Sequence, residues 1–382
     1  MEKSNQQAGY RHDNHHHGWA SERLVSDPAE YYHLLVTELS QAQVSIELVV
    51  YIFRDDRVGQ PVVDALIAAQ ARGVQVRVIV DGFGSGDFAK IIANKLTVSG
   101  VEIRIYHPLP WAWSNYRWSL AKGNFFKKFT HFFSRLNRRD HRKLCIVDQQ
   151  VAWCGSFNIC ADHLGKVLPW RDYAVRISGS RVEELVATFN SDWAAQPPKI
   201  STRSLRLIQG NNSLRLRWLR NRSMLQRIKQ AKRRVWICNA YFSPSGAVLR
   251  AIKLARSRGV EVKVIVAGRS DIPFFPALTS TYYDDLLALG VDIYIYQRGI
   301  LHAKVVLVDE QCVLGSSNLN HRSFYHDLEL DVVLSSANTI ADIEQSLQLD
   351  MRDSRLATLE DASPFRRTMG FAWLLRVLRY WL

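Results

Sequence analysis

The sequence predicts an α/β protein made of two similar halves related by pseudo-twofold symmetry, each with a mixed β-sheet flanked by helices. Two segments of the first half return in the second: ARGVQVRVIVDG (71–82) as SRGVEVKVIVAG (257–268), and DHRKLCIVD (140–148) as LHAKVVLVD (301–309). In each copy of the first segment, an apolar helix pattern ends in an RGV turn, and a Val/Ile-rich strand follows. This order is typical of βαβ units with a largely parallel sheet.

The length also favours two units, because a single hydrophobic core usually stops growing before 382 residues. Two adjacent prolines, Pro197 and Pro198, mark the predicted linker between the halves. We expect four regions: a disordered polar tail over 1–30, the first half over 31–200, the second half over 201–355 and a basic, aromatic tail over 356–382.

The first half is longer than the second just before its histidine segment. Tyr106 and His141 are 35 positions apart, whereas the corresponding Tyr296 and His302 are six positions apart. The first half therefore carries an insertion at about 107–140. Aromatic and cationic residues alternate in this insertion, and its only acid is its last residue. Such a composition suits the boundary of a phospholipid membrane, so the insertion and the C-terminal tail are the predicted docking segments. Packing of the C-terminal tail on the core of the protein is the alternative.

The charge balance points to an anionic partner. The chain has 50 Lys and Arg against 36 Asp and Glu, which gives a formal net charge of +14. Such an excess indicates nucleic acid or an acidic membrane surface without choosing between them.

Cysteine usage and hydropathy indicate where the chain works. The five cysteines are odd in number and lie mostly in apolar runs, without the spacing of a zinc site, which predicts reduced thiols. The N-terminus lacks the apolar core of a signal peptide. The longest uncharged stretch, 235–249, has 15 residues, fewer than the roughly 20 apolar residues that a membrane span needs. We therefore expect a peripheral protein rather than one that spans the bilayer.

The repeated histidine segment carries the predicted chemistry. Residues two apart on a strand project to the same face, so His141 should lie beside Lys143 and His302 beside Lys304. Each half thus contributes one imidazole and one ammonium group.

Two further motifs accompany each histidine. Asp148 and Asp309 lie seven residues after their histidines at an expected hairpin turn, where a mainly structural role outweighs a reacting one. GSFN (155–158) and GSSN (315–318) then offer small residues and neutral donors for an anionic oxygen. The candidate substrate contacts in these two motifs are Ser156, Asn158, Ser316 and Asn318.

The pattern HxKxxxxD followed by GSxN, present twice, resembles the signature of the phospholipase D superfamily. This resemblance implies a single active site at the junction of the halves, with His141, Lys143, Asp148, His302, Lys304 and Asp309 as the catalytic set. One histidine would attack phosphorus and the other would protonate the leaving alcohol, while lysines and asparagines hold phosphate oxygens. No metal and no cofactor are implied.

The resemblance also implies a carboxylate partner for each imidazole. Asp172 lies 31 residues after His141 and Glu329 lies 27 residues after His302, at the positions where the superfamily has such a partner. These carboxylates would fix the tautomer and orientation of the imidazoles.

Within the superfamily, the chain is similar to bacterial cardiolipin synthases, particularly the shorter B-type enzymes. YIFRDD, VDGFGS, WRDYAV, NAYFSP and GSSNLNHRSF carry this likeness from about Tyr31 onward. The implied function is transfer of a phosphatidyl group from phosphatidylglycerol at the cytoplasmic face of the bacterial inner membrane, with anionic phospholipid as partner and no nucleic acid. A phospholipid hydrolase, a nuclease of the same superfamily and a non-catalytic lipid-binding module remain as alternatives. The acceptor alcohol and the oligomeric state stay open.

Overall fold

The computed structural model describes residues 18–107, 138–196 and 206–362. In the first half, seven strands form one sheet in the order β1-β7-β6-β5-β2-β3-β4. Its strands are β1 (Ser21–Val25), β2 (Ser45–Val50), β3 (Gln75–Asp81), β4 (Glu102–Tyr106), β5 (Leu144–Val147), β6 (Val151–Gly155) and β7 (Ala174–Ser178). Its helices are α1 (Pro28–Gln41), α2 (Gly59–Ala71), α3 (Phe88–Val98) and α4 (Val182–Trp193), and a 3-10 turn covers Ala161–Leu164.

The second half repeats this arrangement with eight strands in the order β8-β14-β13-β12-β9-β10-β11-β15. Its strands are β8 (Ile208–Gly210), β9 (Arg234–Asn239), β10 (Glu261–Arg269), β11 (Asp292–Ile300), β12 (Lys304–Val308), β13 (Gln311–Gly315), β14 (Leu330–Leu334) and β15 (Ser354–Leu356). Its helices are α5 (Leu214–Gln230), α6 (Gly246–Arg256), α7 (Phe275–Ser280), α8 (Tyr283–Leu287), α9 (His321–Tyr325) and α10 (Ala337–Arg352), and a 3-10 turn covers Leu359–Asp361.

The two sheets have the same strand order, which confirms the predicted duplication. In each half, three strands run parallel and the following three run antiparallel, so both sheets are mixed. β8 pairs antiparallel with β14 just as β1 pairs with β7, and β15 is an extra edge strand of the second sheet.

Several helices begin at residues whose side chains satisfy free backbone amides. Asp27 accepts a hydrogen bond from the amide of Glu30 and precedes Pro28, the first residue of α1. Ser213 caps α5 by accepting from the amide of Leu216. Such caps replace bonds that the first turn of a helix cannot form within itself.

The two sheets pack against each other through a shared core. Buried residues of this core come from both sheets, among them Ile146, Ala152 and Val175 of the first and Val305, Leu314 and Val332 of the second. A separate apolar cluster joins the outer face of each sheet to its own helices. The five cysteines are all buried and free, as expected.

The predicted N-terminal tail is too long. Residues 21–25 form the edge strand β1, and the indole N–H of Trp19 donates to the carbonyl of Val333 in the other half at 3.0 Å. The strand is short and does not alternate clearly between apolar and polar residues, so its pattern gave no strand signal. The C-terminal tail, expected from 356, is likewise ordered through β15 and the following turn.

Other predicted segments lie outside the described residues. They are the remainder of the N-terminal tail, most of the insertion, the linker prolines and the C-terminal segment from residue 363 onward. Within the described part of the chain, no helix has the length and apolar character needed to cross a bilayer.

Candidate active site

The two histidine segments enter their sheets at equivalent places. His141 precedes β5, which runs antiparallel to β2, and His302 precedes β12, which runs antiparallel to β9. Both histidines are therefore at the carboxyl ends of parallel strands, and both are buried. The strand itself begins only at Leu144 in the first half and at Lys304 in the second, slightly later than the sequence pattern suggests.

Short backbone bridges tie each histidine to the opposite half. The amide of His141 donates to the carbonyl of Leu328 at 2.9 Å, and the amide of His302 donates to the carbonyl of Arg171 at 2.8 Å. Leu328 and Arg171 are the residues directly before the two candidate orienting carboxylates. The bridges therefore align each histidine with a carboxylate across the junction.

The imidazole and carboxylate pairs cross between the halves. Nδ1 of His302 lies 2.7 Å from Oδ2 of Asp172, and Nδ1 of His141 lies 3.2 Å from Oε2 of Glu329. The sequence relates each carboxylate to the histidine of its own half by position, whereas the structure pairs it with the histidine of the other. All four side chains are buried, which makes one site from both halves.

The two motif serines hold these carboxylates. The hydroxyl of Ser156 donates to Asp172, and the hydroxyl of Ser316 donates to Glu329. Each hydroxyl proton is engaged by a buried carboxylate in the structure without substrate, so a contact of these serines with substrate stays a prediction. A buried carboxylate needs such donors in place of lost water.

The motif glycines serve close strand packing rather than a ligand. A Cβ atom at Gly155 would lie 2.5 Å from the carbonyl oxygen of Tyr173, and one at Gly315 would lie 2.3 Å from that of Leu330. These distances are too short for carbon and oxygen, so β6 and β13 could not pair with their neighbours in the same way. The pairing of β7 and β14, the strands that follow Asp172 and Glu329, with β6 and β13 therefore depends on glycine.

The two motif asparagines are both buried. Oδ1 of Asn158 accepts from the amide of Ile52 at 3.2 Å, so the NH₂ group is the part of its side chain that remains for a phosphate oxygen. Oδ1 of Asn318 is buried and has no hydrogen-bond partner within the described residues.

Asp148 and Asp309 are distant from the histidines. Each lies at the hairpin after the strand, with φ near +50°, seven residues beyond its histidine. Asp148 accepts from three successive backbone amides at residues 43–45, and Asp309 accepts from three at residues 232–234. Their inclusion in the catalytic set is corrected: these carboxylates fix the start of the neighbouring parallel strand.

A third histidine was missed by the sequence reasoning. Nε2 of His163 accepts from the amide of Asn158 at 3.1 Å, and its Nδ1 lies 3.4 Å from Oδ2 of Asp172. Ser323 takes the same place in the second half, where its hydroxyl accepts from the amide of Asn318 and donates to Glu329. Both residues stand five positions after the motif asparagine, so alignment of the two repeats would have found them.

Burial sets the ionisation of the site. It lowers the pKa of His141 and His302 well below the usual value, and the neighbouring lysine ammonium groups lower both further. Burial also raises the pKa of Asp172 and Glu329. In the site without substrate, burial therefore favours the neutral imidazoles, and a neutral imidazole is the form that can attack phosphorus.

The two lysines lie deep in the same site. Nζ of Lys143 donates to the carbonyl of His141 at 2.6 Å, and Nζ of Lys304 donates to the carbonyl of His302. Burial, together with repulsion from Lys304, lowers the pKa of Lys143 to about 7, and burial lowers that of Lys304 to about 8. Two ammonium groups that lose protons near neutrality need an anion to keep them charged.

Three of these side chains also have the spacing of a metal site. The potential ligand atoms of His163, Asp172 and His302 all lie within 4.8 Å of one another. Asp172 already accepts from His302, Ser156 and its neighbouring backbone amide. The ammonium of Lys304 also contributes to the electrostatics of this carboxylate. The donor set therefore fits a hydrogen-bonded imidazole pair better than a cation.

The glycine-rich segment after β3 forms a tight loop beside the site. The carboxylate of Asp81 accepts from the amides of Phe83, Gly84 and Asp140. Asp140 directly precedes the first catalytic-candidate histidine, so this loop helps to fix the entry of the histidine segment.

Comparison with known proteins relates this geometry to a family. Residues 35–193 and 224–351 match the family described as cardiolipin synthase, PLD-like domain. Cardiolipin synthase B of Escherichia coli O6:H1 is 32% identical over 337 residues, which cover 83% of this chain and 76% of that protein. A cardiolipin synthase of Alkalihalophilus pseudofirmus is 28% identical over 350 residues, which cover 87% of this chain and 66% of that protein.

A solved structure shares the fold. Phosphatidylserine synthase of Haemophilus influenzae Rd KW20 superposes with a TM-score of 0.69 at 13% identity, and the match covers 94% of this chain and 95% of that one. At this identity the likeness concerns the fold alone.

Proposed function

Since the chain belongs to the PLD-like cardiolipin synthase family, we propose that it transfers a phosphatidyl group from phosphatidylglycerol to the hydroxyl of a second phospholipid. The reaction runs through a phosphohistidine intermediate and releases glycerol. The observation that supports this most strongly is the pair of crossed imidazole and carboxylate contacts in one buried site. Two imidazoles at one phosphorus allow two successive transfers without any other nucleophile.

In the first step, His141 attacks phosphorus. Its Nδ1 lies against Glu329 and the carbonyl of Ser316, so Nε2 is the nitrogen that is available for attack. The bond from phosphorus to the glycerol oxygen breaks while the bond to Nε2 forms, and His302 gives its proton to the departing oxygen. The shorter contact of His302 with Asp172 favours the protonated state that this acid role requires.

In the second step, the roles reverse. His302, now neutral, takes the proton of the incoming hydroxyl, whose oxygen attacks phosphorus and displaces Nε2 of His141. One phosphodiester is exchanged for another, so the reaction needs no external energy source. Glycerol and the dimeric phospholipid are the products.

Lys143, Lys304 and Asn158 bind the phosphate oxygens. An arriving phosphodiester anion raises the lowered pKa values of the two lysines, so substrate binding charges the groups that stabilise the transition state. The same anion favours a proton on His302 before the first transfer. Substrate binding thus puts His302 in the protonated form that the first step requires.

The protein acts as a peripheral enzyme at the cytoplasmic face of the bacterial inner membrane, with anionic phospholipid as its partner. Mass spectrometry of products formed from phosphatidylglycerol tests the proposal, with the His141→Ala variant as blank. Dimeric phospholipid and free glycerol are expected. Phosphatidic acid alone would identify a hydrolase and refute the transfer step, and cleavage of an oligonucleotide without action on lipid would identify a nuclease.

A further inference from the structure

The exposed side of α5 is unusual in charge and composition. The helix holds five arginines and one lysine and no acidic residue along its 17 positions. Its outward side, here called the α5 face, consists of Leu214, Arg215, Trp218, Arg222 and Lys229, all exposed. These residues follow one another at helical spacing and extend over about 22 Å at a rise of 1.5 Å per residue.

Two members of this face expose large apolar area to solvent. Leu214 is 87% exposed and Trp218 is 57% exposed. The guanidinium carbon of Arg222 lies 5.0 Å from the centre of the Trp218 ring, so cation and indole are presented together. Within the described part of the chain, Arg215, Arg222 and Lys229 have no acidic partner.

The opposite side of α5 binds it to the wall of the active site. Arg220 forms a buried salt bridge with Asp331 at 3.0 Å, and Asp331 accepts from the hydroxyl of Ser317 in the GSSN motif. Just before the helix, Asn211 accepts from the amide of Glu329 at 2.7 Å. α5 is therefore held to the segments that orient His141.

We propose that the α5 face docks on an anionic phospholipid bilayer and brings the active site to the membrane surface. The choice of lipid substrate rests on the proposed function, whereas the docking rests on the charges and apolar area of the face. Cations attract anionic headgroups, and indole and leucine side chains enter the boundary between headgroups and acyl chains.

The chain itself offers no complementary occupant. Segments 108–137, 197–205 and 363–382 contain cations and no acid, and segment 1–17 has as many acids as lysines and arginines. Each of the first three would be repelled by the face, and the last has no net charge to attract it. A second copy that docked through the same face would bring the same cations. Nucleic acid would satisfy the charges but would leave the leucine side chain in water.

Charge reversal on the face provides the test. The full-length protein is sedimented with phosphatidylcholine vesicles and with vesicles that also contain phosphatidylglycerol. Because each cation near an anionic surface contributes about a fivefold change in affinity, Arg215→Glu with Arg222→Glu should weaken binding to the anionic vesicles by about 25-fold or more. Trp218→Ala should weaken binding to the same vesicles, and the binding that remains should be more easily removed by salt.

Matched variants separate a local effect from general charge. Arg250→Glu with Lys253→Glu reverses two exposed cations on α6, and it should weaken binding far less. Arg215→Lys with Arg222→Lys keeps both charges and should bind the vesicles as the unchanged protein does. This variant also tests the same positions if the charge-reversed variant is poorly soluble.

Three results would overturn the docking proposal. They are unchanged vesicle binding in the charge-reversed variant, lost oligonucleotide binding with vesicle binding intact, and a change of oligomeric state with vesicle binding intact. Phosphatidyl transfer in detergent micelles tests the proposed function separately, because micelles do not require the face. If the protein transfers phosphatidyl groups but its vesicle binding does not depend on the α5 face, only the docking proposal is refuted. If vesicle binding depends on the α5 face but no transfer occurs, only the proposed function is refuted.

Discussion

Asp172 of the first half lies 2.7 Å from Nδ1 of His302 in the second half. The backbone contact between Arg171 and His302 places this carboxylate, and the corresponding contact between Leu328 and His141 places Glu329. Orientation of each candidate catalytic imidazole therefore depends on how the two halves dock, which leads to the first two predictions.

Replacement of either histidine should nearly abolish turnover. His141→Ala and His302→Ala each remove one member of a single site, so each should reduce the transfer rate by at least about a thousandfold. Two independent sites would instead leave about half of the activity in each variant. The rate of product formation with phosphatidylglycerol distinguishes these outcomes, and mapping of the trapped phosphohistidine shows which residue attacks.

Replacement of the carboxylates should reveal the crossed pairing. Asp172→Asn should lower the transfer rate by about two to four orders of magnitude, because the amide no longer favours the required imidazole tautomer. In a double-mutant cycle, Asp172→Asn should couple with a change at His302 and Glu329→Gln with a change at His141. Stronger coupling of Asp172 with His141 than with His302 would contradict the geometry.

The lysines should give the reaction an alkaline limit. The pKa of Lys143 is lowered to about 7 and that of Lys304 to about 8 in the empty site, so both lose their protons as pH rises through this range. We expect kcat/KM to fall from about pH 7 upward. The decline of kcat should occur at higher pH, since bound phosphodiester raises both pKa values.

Lys143→Arg is the variant for this pH profile. Guanidinium stays protonated over the whole range, so the alkaline decline of kcat/KM should move to higher pH even if the maximum is lower. An unchanged alkaline limb in this variant would exclude Lys143 as its source.

The motif glycines should be intolerant of alanine. At Gly155 the new Cβ would meet the carbonyl of Tyr173 at 2.5 Å, which forces β6 and β7 apart next to Asp172. We expect Gly155→Ala to lower the free energy of unfolding by about 1–3 kcal/mol and to reduce activity through His302. Gly246→Ala is the control, because its Cβ would contact only a flexible arginine tip at 3.4 Å. Equal melting temperatures for both variants would contradict this prediction.

Local sequence patterns were sufficient to predict the repeat and the pairing of each histidine with its lysine. The RGV turns predicted the parallel strands, and the two-residue spacing indicated that His141 and Lys143 belong together. The partner of each imidazole was not predictable in this way, because Asp172 meets His302 only through packing of two sheets, and no periodicity within one half records that packing.

Other differences have equally physical causes. The strand at residues 21–25 pairs at a sheet edge and needs little apolar alternation, so its sequence resembles a tail. Ser156 and Ser316 look like ligand donors in a motif, but a buried carboxylate beside each one takes the hydroxyl proton. His163 and Ser323 differ in type, and only their shared distance from the motif asparagines relates them.

The crossed contacts have a consequence for the life of the protein in the cell. A ribosome that has completed only the first half has made His141 without Glu329 and Asp172 without His302. The first half alone therefore contains neither complete imidazole and carboxylate pair. Under the proposed function, phosphatidyl transfer requires that the second half has been synthesised and has docked, so an incomplete chain cannot act on phospholipid.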